Sequence, residues 1–337
     1  MKKVFSLMLS VVLVLMLTAC GSKERDERSD TITLRMGHAA SAEQAMGMTC
    51  HKFSELVSEY TNGRYTINVF DAGQLGSEED MINDLSMNTL DLALTNSAIP
   101  ATLSACADWA VTLAPYLVTS YDQADAIYFS QDSTVAKDLL SELNGANIKG
   151  LSFVEAGFRC ISSNTPINGL SDMKGLTIRI MTNDVCDAVM RAMGVNPTQM
   201  SWSEALTGIQ QGAVDGQDNP VHMAYYMSVG DVNKYIALTN HQYNLSVMMM
   251  SGGLWDSLSA EDQRLFQKAA DDAAAYEVEL ARDRNAAVRD KWTAEGIVFT
   301  EPDLTDFVSA TKSVRDDLAE KYPDMYQKLA DAVASVD

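Results

Sequence analysis

The stretch DMKGLTIRIM, residues 172–181, decides how this chain is read. Its second half alternates as a strand does: Leu176, Ile178 and Ile180 point one way, Thr177, Arg179 and Met181 the other. The first face is a sheet core. The second carries an arginine among apolar neighbours, and arginine is rarely fully buried unless it is paired. Either that face is wet, or Arg179 waits for an anion. The end of a strand is also where open α/β sheets form ligand crevices.

Working outward, the pattern on both sides is α/β. Residues 31–37 read as a strand, 43–60 as a helix with Phe53, Leu56, Val57 and Tyr60 on one face, and 65–70 as a second strand. Ser77 followed by Glu78, Glu79 and Asp80 is a helix start, with a serine N-cap and acids in the first turn. Residues 90–94 read as a third strand, so the first half predicts a largely parallel sheet. In the second half, 148–154 and 157–163 look extended, 184–193 helical, and Ser201-x-x-Glu204 fits a capping box. NLSVMMMSGGLW, 244–255, reads as an apolar strand ending in glycines. Residues 259–295 lack both glycine and proline and keep a helical spacing. They form either one helix long enough to cross two domains or two helices broken near 282–285. Residues 302–337 read as two amphipathic helices.

The formal net charge is −21, which argues against a nucleic-acid partner, because phosphate-backbone binding needs a basic face. Lys2 and Lys3, an apolar run from Val4 to Met16, and Leu17-Thr18-Ala19-Cys20 together look like a bacterial lipoprotein signal over 1–19, with Cys20 as the lipidated residue. Residues 20–30 are then a lipid-anchored polar tether without an apolar anchor of their own. This places the protein in the periplasm or on the extracellular face of the cytoplasmic membrane. Export permits disulfides, yet the spacings of Cys50, Cys106, Cys160 and Cys186 choose neither a pairing nor free buried thiols.

Catalytic and metal motifs are missing. The sequence has no G-x-S-x-G, H-E-x-x-H, P-loop or G-x-G-x-x-G after a strand, and its four histidines lack metal-like spacing. The reading is a binder rather than an enzyme, without cofactor or metal.

Three stretches now line up: AGQLGSEEDM (72–81), GFRCISSNTPINGLSDMKGLTIRIM (157–181) and GVNPTQMSWSEALTGIQQGAVDGQDNP (194–220). With RMGHA (35–39), TNGRYTINVF (61–70) and the long helix, the chain resembles the DctP-like substrate-binding proteins of tripartite ATP-independent periplasmic (TRAP) transporters. The resemblance implies a two-domain periplasmic-binding-protein (venus-flytrap) fold with the long helix spanning both domains. Domain I would be 31–156 plus 245–284, and domain II 157–244 plus 285–337. It implies a monomer that captures a small organic acid (a C4-dicarboxylate, sugar acid, sialic acid or 2-oxo acid) and delivers it to small and large membrane subunits.

By the same resemblance, Arg179 matches the family arginine that holds the ligand carboxylate, and Arg159 a second arginine touching the same group. Trp202 would pack against the ligand body or fill ordinary core. Asn219 would reach the ligand or cap a helix before Pro220. His38, Ser77, Asn96 and Thr182 fall where the family's pocket is lined. Against the sialic-acid branch, Asn96 and Ser77 replace acids, Ile99 a basic residue and Thr182 an asparagine, which argues for a smaller or more apolar carboxylate. The rival readings are a ligand-presenting sensor lipoprotein and, behind it, an exported enzyme acting on a small acid.

Overall fold

The computed structural model describes residues 31–336. The signal segment 1–19, the lipidation site Cys20 and the tether 20–30 lie outside the described residues. Among those described, no helix is long and apolar enough to cross a membrane.

Eleven strands form two sheets. They are β1 (Ile32–His38), β2 (Tyr65–Phe70), β3 (Leu92–Asn96), β4 (Ile148–Phe158), β5 (Cys160–Ser163), β6 (Thr177–Ile180), β7 (Asn196–Gln199), β8 (Gly216–Asn219), β9 (Tyr235–Ala237), β10 (Tyr243–Ser251) and β11 (Val298–Thr300). The first sheet has the order β2-β1-β3-β10-β4 and the second β11-β9-β5-β8-β6-β7. In the first, β1 runs parallel to β2 and β3, as the alternating strands and helices predict. β10 is antiparallel to both β3 and β4, so this sheet is mixed rather than largely parallel. The reason is topological: β10 arrives from the far half of the chain, and no local pattern announces its direction. Residues 252–257, read as the end of that strand, begin a short helix instead.

The chain passes between the sheets at two places that lie side by side. Arg159 alone separates β4 from β5, and residues 238–242 separate β9 from β10. The Arg159 N–H donates to the Gln242 carbonyl at 2.9 Å, which ties the two passages together.

The third link is the helix Ala260–Ala294, unbroken over 35 residues, with Ser259 accepting from the Asp262 N–H as its cap. At ~1.5 Å per residue it is about 50 Å long. Phe266, Ala269, Ala270 and Ala273 pack with Phe53, Leu56 and Val57 over the first sheet. Val288 and Trp292, further along, pack with Ile236 and Ile297 of the second. The alanines let the helix lie close, and the Phe266 ring meets Tyr65 edge-on at 5.2 Å.

The C-terminus differs from its reading. It forms three helices, Thr305–Ala310, Lys312–Lys321 and Pro323–Ala334. The first two bury Phe307, Val314 and Leu318 with the second sheet's core. The last, assigned by resemblance to domain II, sends Met325, Leu329 and Val333 into the cluster around Trp109 and Phe153, over the first sheet. An amphipathic pattern says that a helix face is covered, not which sheet covers it. The four cysteines are free and buried, the second of the two readings their spacing left open. Burial pushes the thiols of Cys106, Cys160 and Cys186 up to about 12.

Gly216 opens the strand that carries Gln217, Asp218 and Asn219, and a Cβ there would sit 1.9 Å from the Ser162 carbonyl oxygen across the β5–β8 pair. Backbone cannot step aside as a side chain tip can. Gly216→Ala is therefore expected to cost at least ~1–3 kcal/mol, as overpacking does, read as a lower urea midpoint with an unchanged slope.

Candidate functional site

The strand read first, β6, is buried on both faces: Ile178 and Ile180 are wholly buried, and Arg179 is 2% exposed. It pairs with β7 and β8 in parallel, so its far end opens toward the first sheet. There Arg179 lines two adjoining cavities between the sheets. Its Nε donates to the Met200 carbonyl at 2.9 Å, and its guanidinium lies 5.6 Å from the centre of the Trp202 ring. Among the described residues, no acceptor is bonded to its two terminal nitrogens and no carboxylate lies within ion-pair distance. Burial brings the group down to about 10, which leaves it charged at neutral pH. A buried unpaired charge is costly, and this one faces a cleft.

The other wall comes from the first sheet's helices and strand ends. Ser77 caps helix Glu78–Ser86, accepting from the Asp80 N–H while the Asp80 carboxylate takes the Ser77 N–H. That capping box aims the next residue, Glu78, into both cavities. The Asn96 N–H donates to Glu78 Oε1 at 2.7 Å, and burial raises the Glu78 carboxyl to about 7 against that hydrogen bond. The sequence reading took Glu78 only as a first-turn acid. Its alternative value, a carboxyl facing a cleft, depends on a turn geometry that no spacing reveals.

Six of the predicted site residues gather here. Ser77, Thr182, Arg179 and Trp202 line the first cavity, and Asn96 and Asn219 join Arg179 and Trp202 in the second. Trp202 is half-buried at the start of helix Trp202–Gln210, a cleft wall rather than core. Asn219 donates to Gln217 Oε1 at 2.6 Å and does not cap the following helix, whose N-terminal residue, Pro220, has no side-chain cap. The Glu204 carboxylate accepts from the Ser201 N–H at 3.3 Å, as the capping-box reading expects.

Two predicted residues stand elsewhere. His38 ends β1 and is buried, with Nε2 2.9 Å from Asp71 Oδ1, an oxygen that His51 Nε2 approaches to 3.0 Å. It lines neither cavity. Arg159 lines neither cavity and is paired with Asp218. Its Nε donates to Asp218 Oδ2 at 2.6 Å, its Nη2 to the Asp218 carbonyl at 2.6 Å and its Nη1 to Asn244 Oδ1 at 3.0 Å. His241 Nε2 reaches the same Asp218 oxygen at 3.3 Å, while its Nδ1 meets the Thr239 hydroxyl at 2.9 Å. Burial alone would raise the Asp218 carboxyl. The Arg159 charge and the hydrogen bonds from His241 and Arg159 outweigh it and hold the group well below the usual range. The sequence reading missed Asp218, Asn244 and His241 as partners of Arg159, because Asp218 lies 59 positions from it and Asn244, with His241 beside it, 85.

The two cavities are tight, about 20 and 30 Å³, roughly a water molecule each. A larger groove of about 620 Å³, between Phe153, Lys149 and the long helix, contains no buried unpaired charge. The cleft between the sheets is the candidate site by its chemistry, not by its size. Among the described residues no cluster of histidine, cysteine and acidic side chains could hold a metal.

Two lobes linked by paired strand passages and one long helix, with a bare cation in the seam, define a solute-binding protein. Residues 36–322 match the profile of the bacterial extracellular solute-binding protein family 7, DctP, and the chain belongs to that family. It is 28% identical over 297 residues to the C4-dicarboxylate-binding periplasmic protein DctP of Rhodobacter capsulatus, covering 87% of this chain and 88% of that one. The sugar acid binding protein of Advenella mimigardefordensis, solved with galactonate, superposes with a TM-score of 0.87 at 25% identity, over 91% of this chain and 99% of its own. A TRAP periplasmic solute-binding protein of Xanthobacter autotrophicus, solved with β-D-galacturonate, gives 0.84 at 26% identity, over 88% and 99%.

Removing one partner of a buried pair strands the other. Asp218→Asn leaves Arg159 charged and buried, and is expected to cost ~3–5 kcal/mol in urea unfolding.

Proposed function

We propose that the protein is the extracytoplasmic binding component of a TRAP transporter, capturing a small organic acid on Arg179 and delivering it to the small and large membrane subunits. The observation that carries this is the buried Arg179 guanidinium, turned into the cleft with no carboxylate of its own. A ligand carboxylate supplies the missing charge, and desolvation makes the pair strong. Trp202, Asn219, Asn96, Thr182 and Ser77 form the walls around it. Arg159 acts from below, fixed by Asp218, and holds the seam rather than the ligand.

The relatives' ligands support an acid: C4-dicarboxylate in one name, galactonate and galacturonate in two solved complexes. The lobes, 31–156 plus 245–284 and 157–244 plus 285–337 with helix 323–334 docked on the first, part to admit the ligand and close on it, because the cavities are too small to take one unopened. The protein binds and releases and performs no chemistry. It works outside the cytoplasmic membrane, held there by lipid at Cys20, as a monomer.

The test is thermal unfolding of the chain from residue 31 against organic acids and neutral sugars. An acid at a hundred times its dissociation constant adds ~2.7 kcal/mol. Arg179→Ala is expected to weaken that acid by ~2–5 kcal/mol. Near-wild-type affinity in Arg179→Ala, or stabilisation by neutral sugars alone, overturns the reading.

A further inference from the structure

Beside the ligand space the two sheets are bonded to each other by a side chain that lines neither cavity. Asn183 follows β6 in the second sheet and starts the helix Asp184–Ala192. Its Oδ1 accepts the Val185 N–H at 2.8 Å, which caps that helix. Its Nδ2 donates at 2.9 Å to the carbonyl of Ala98, just past β3 in the first sheet. One partner is a donor and the other an acceptor, so they fix which way the amide is turned.

Both ends of this bond are held to the cavities. The Ala98 N–H donates to Asn96 Oδ1 at 2.9 Å, and the Ile99 N–H to the Asn96 carbonyl at 3.0 Å. Asn96 lines the second cavity and Ile99 the first. On the facing side Thr182, next to Asn183, lines the first cavity. The Asn183 N–H donates at 2.8 Å to the carbonyl of Met181, which lines both.

We propose that Asn183 is the latch of the closed cleft: its amide ties the two lobes together beside the ligand and sets how long a captured acid stays. This rests on the reading of the cleft as an acid site that opens and closes. Asn183 is a positioning residue, acting on the lobes and not on the ligand.

A cap alone needs only an oxygen, which serine or aspartate supplies as well as asparagine does. Asparagine adds an N–H donor, and here that donor is used across the cleft. The bond is also a property of the closed form. With the lobes parted, the amide and the carbonyl each turn to water. With the lobes together both are dry: Asn183 is 7% exposed, and Ala98 is wholly buried in the apolar cluster of Ile178, Ile180 and Met181. Removing the donor leaves the Ala98 carbonyl buried without that partner, a cost the open form does not carry. Opening then becomes faster, while capture by the open form stays as it was. Two other bonds between the halves differ in place. The Tyr116 hydroxyl donates to the Thr239 carbonyl at 3.1 Å, and the Gln242 amide to the Leu113 carbonyl. Both belong to the strand passage at 238–242, where the lobes stay joined in either state.

The experiment uses galactonate, galacturonate and succinate as probe acids, with affinities from titration calorimetry and rates from stopped-flow tryptophan fluorescence. N183S keeps a capping oxygen and is too short to reach Ala98; N183A loses both bonds. For each acid that the wild type binds, both variants are expected to release it about tenfold faster, the order set by a buried acceptor that loses its donor, with association changed by less than about twofold. Urea unfolding without acid separates the cap from the latch: N183A is expected to fall and N183S to stay with the wild type. Unchanged release in N183S, slower association in place of faster release, or an N183S as unstable as N183A overturns the latch. R179A separates this from the anchor. If R179A loses the acids while N183S releases them as the wild type does, only the latch fails. If R179A binds as the wild type does, the anchor fails and the release rate of N183S still decides the latch. A wild type that binds none of the three acids overturns their capture and the latch together.

Discussion

The buried pair between Arg159 and Asp218 is the constraint on which the rest of the molecule depends. Arg159 is the one residue between the two sheets at the first passage, and Asp218 lies on the second sheet's β8. Both are 1% exposed, so neither charge survives without the other. The guanidinium spends its third arm on Asn244 of β10, at the other passage. Asn244 Oδ1 also accepts from Asn96 Nδ2 at 2.7 Å, and the Asn96 N–H holds Glu78. One continuous polar chain thus runs from the second sheet, through the seam, to the far wall of the cleft. Arg159 donates to Asp218 and to Asn244, and Asn96 donates to Asn244 and to Glu78, so each group is bonded to the next.

This chain explains why two arginines so close in role have opposite fates. Arg159 is matched on three sides by fixed acceptors, Asp218 Oδ2, the Asp218 carbonyl and Asn244 Oδ1. Arg179 has one backbone acceptor and an aromatic wall. The second is the more expensive arrangement in the free protein, because its charge is desolvated without compensation. In the proposed reading an arriving anion returns that cost, which is how a binding site differs from a structural joint built from the same side chain.

How much of this could be read from the chain alone follows from what is local. The strand at Leu176–Met181, the caps at Ser77 and Ser259 and the long helix all depend on neighbours within a few residues, and the structure has them within a residue or two. Arg179 was legible because a charge in an apolar alternation is a local anomaly. Arg159 looked like its equal, because its consumption by Asp218, 59 positions away, leaves no trace in spacing. His38 fits its motif but turns to Asp71 at the end of β1. Glu78 was hidden for the opposite reason: its surroundings make it an ordinary helix-start acid, and only the fold of the other lobe turns it into a cleft wall. The direction of β10 and the docking of helix 323–334 are likewise decisions of the whole chain.

The long helix adds the last constraint. Arg282 grips Glu155 near the end of β4, with Nη2 to Oε2 at 2.7 Å, and Asp125 at 2.6 Å, all on the first lobe. Glu277, wholly buried one turn earlier, accepts the Glu155 N–H through Oε2 at 2.8 Å, and burial keeps its carboxyl well above the usual range. Arg282 faces two carboxylates, Glu155 and Asp125, and bonds to both. Three residues on, Asn285 Oδ1 accepts from the His222 N–H at 3.2 Å and lies 3.0 Å from its Nδ1, on the second lobe. Around 282–285 the helix therefore meets both lobes, Arg282 and Arg284 on the first, the latter at the Glu43 carbonyl, and Asn285 on the second at His222. The charged stretch 282–285, one place where the sequence allowed a break, is continuous helix.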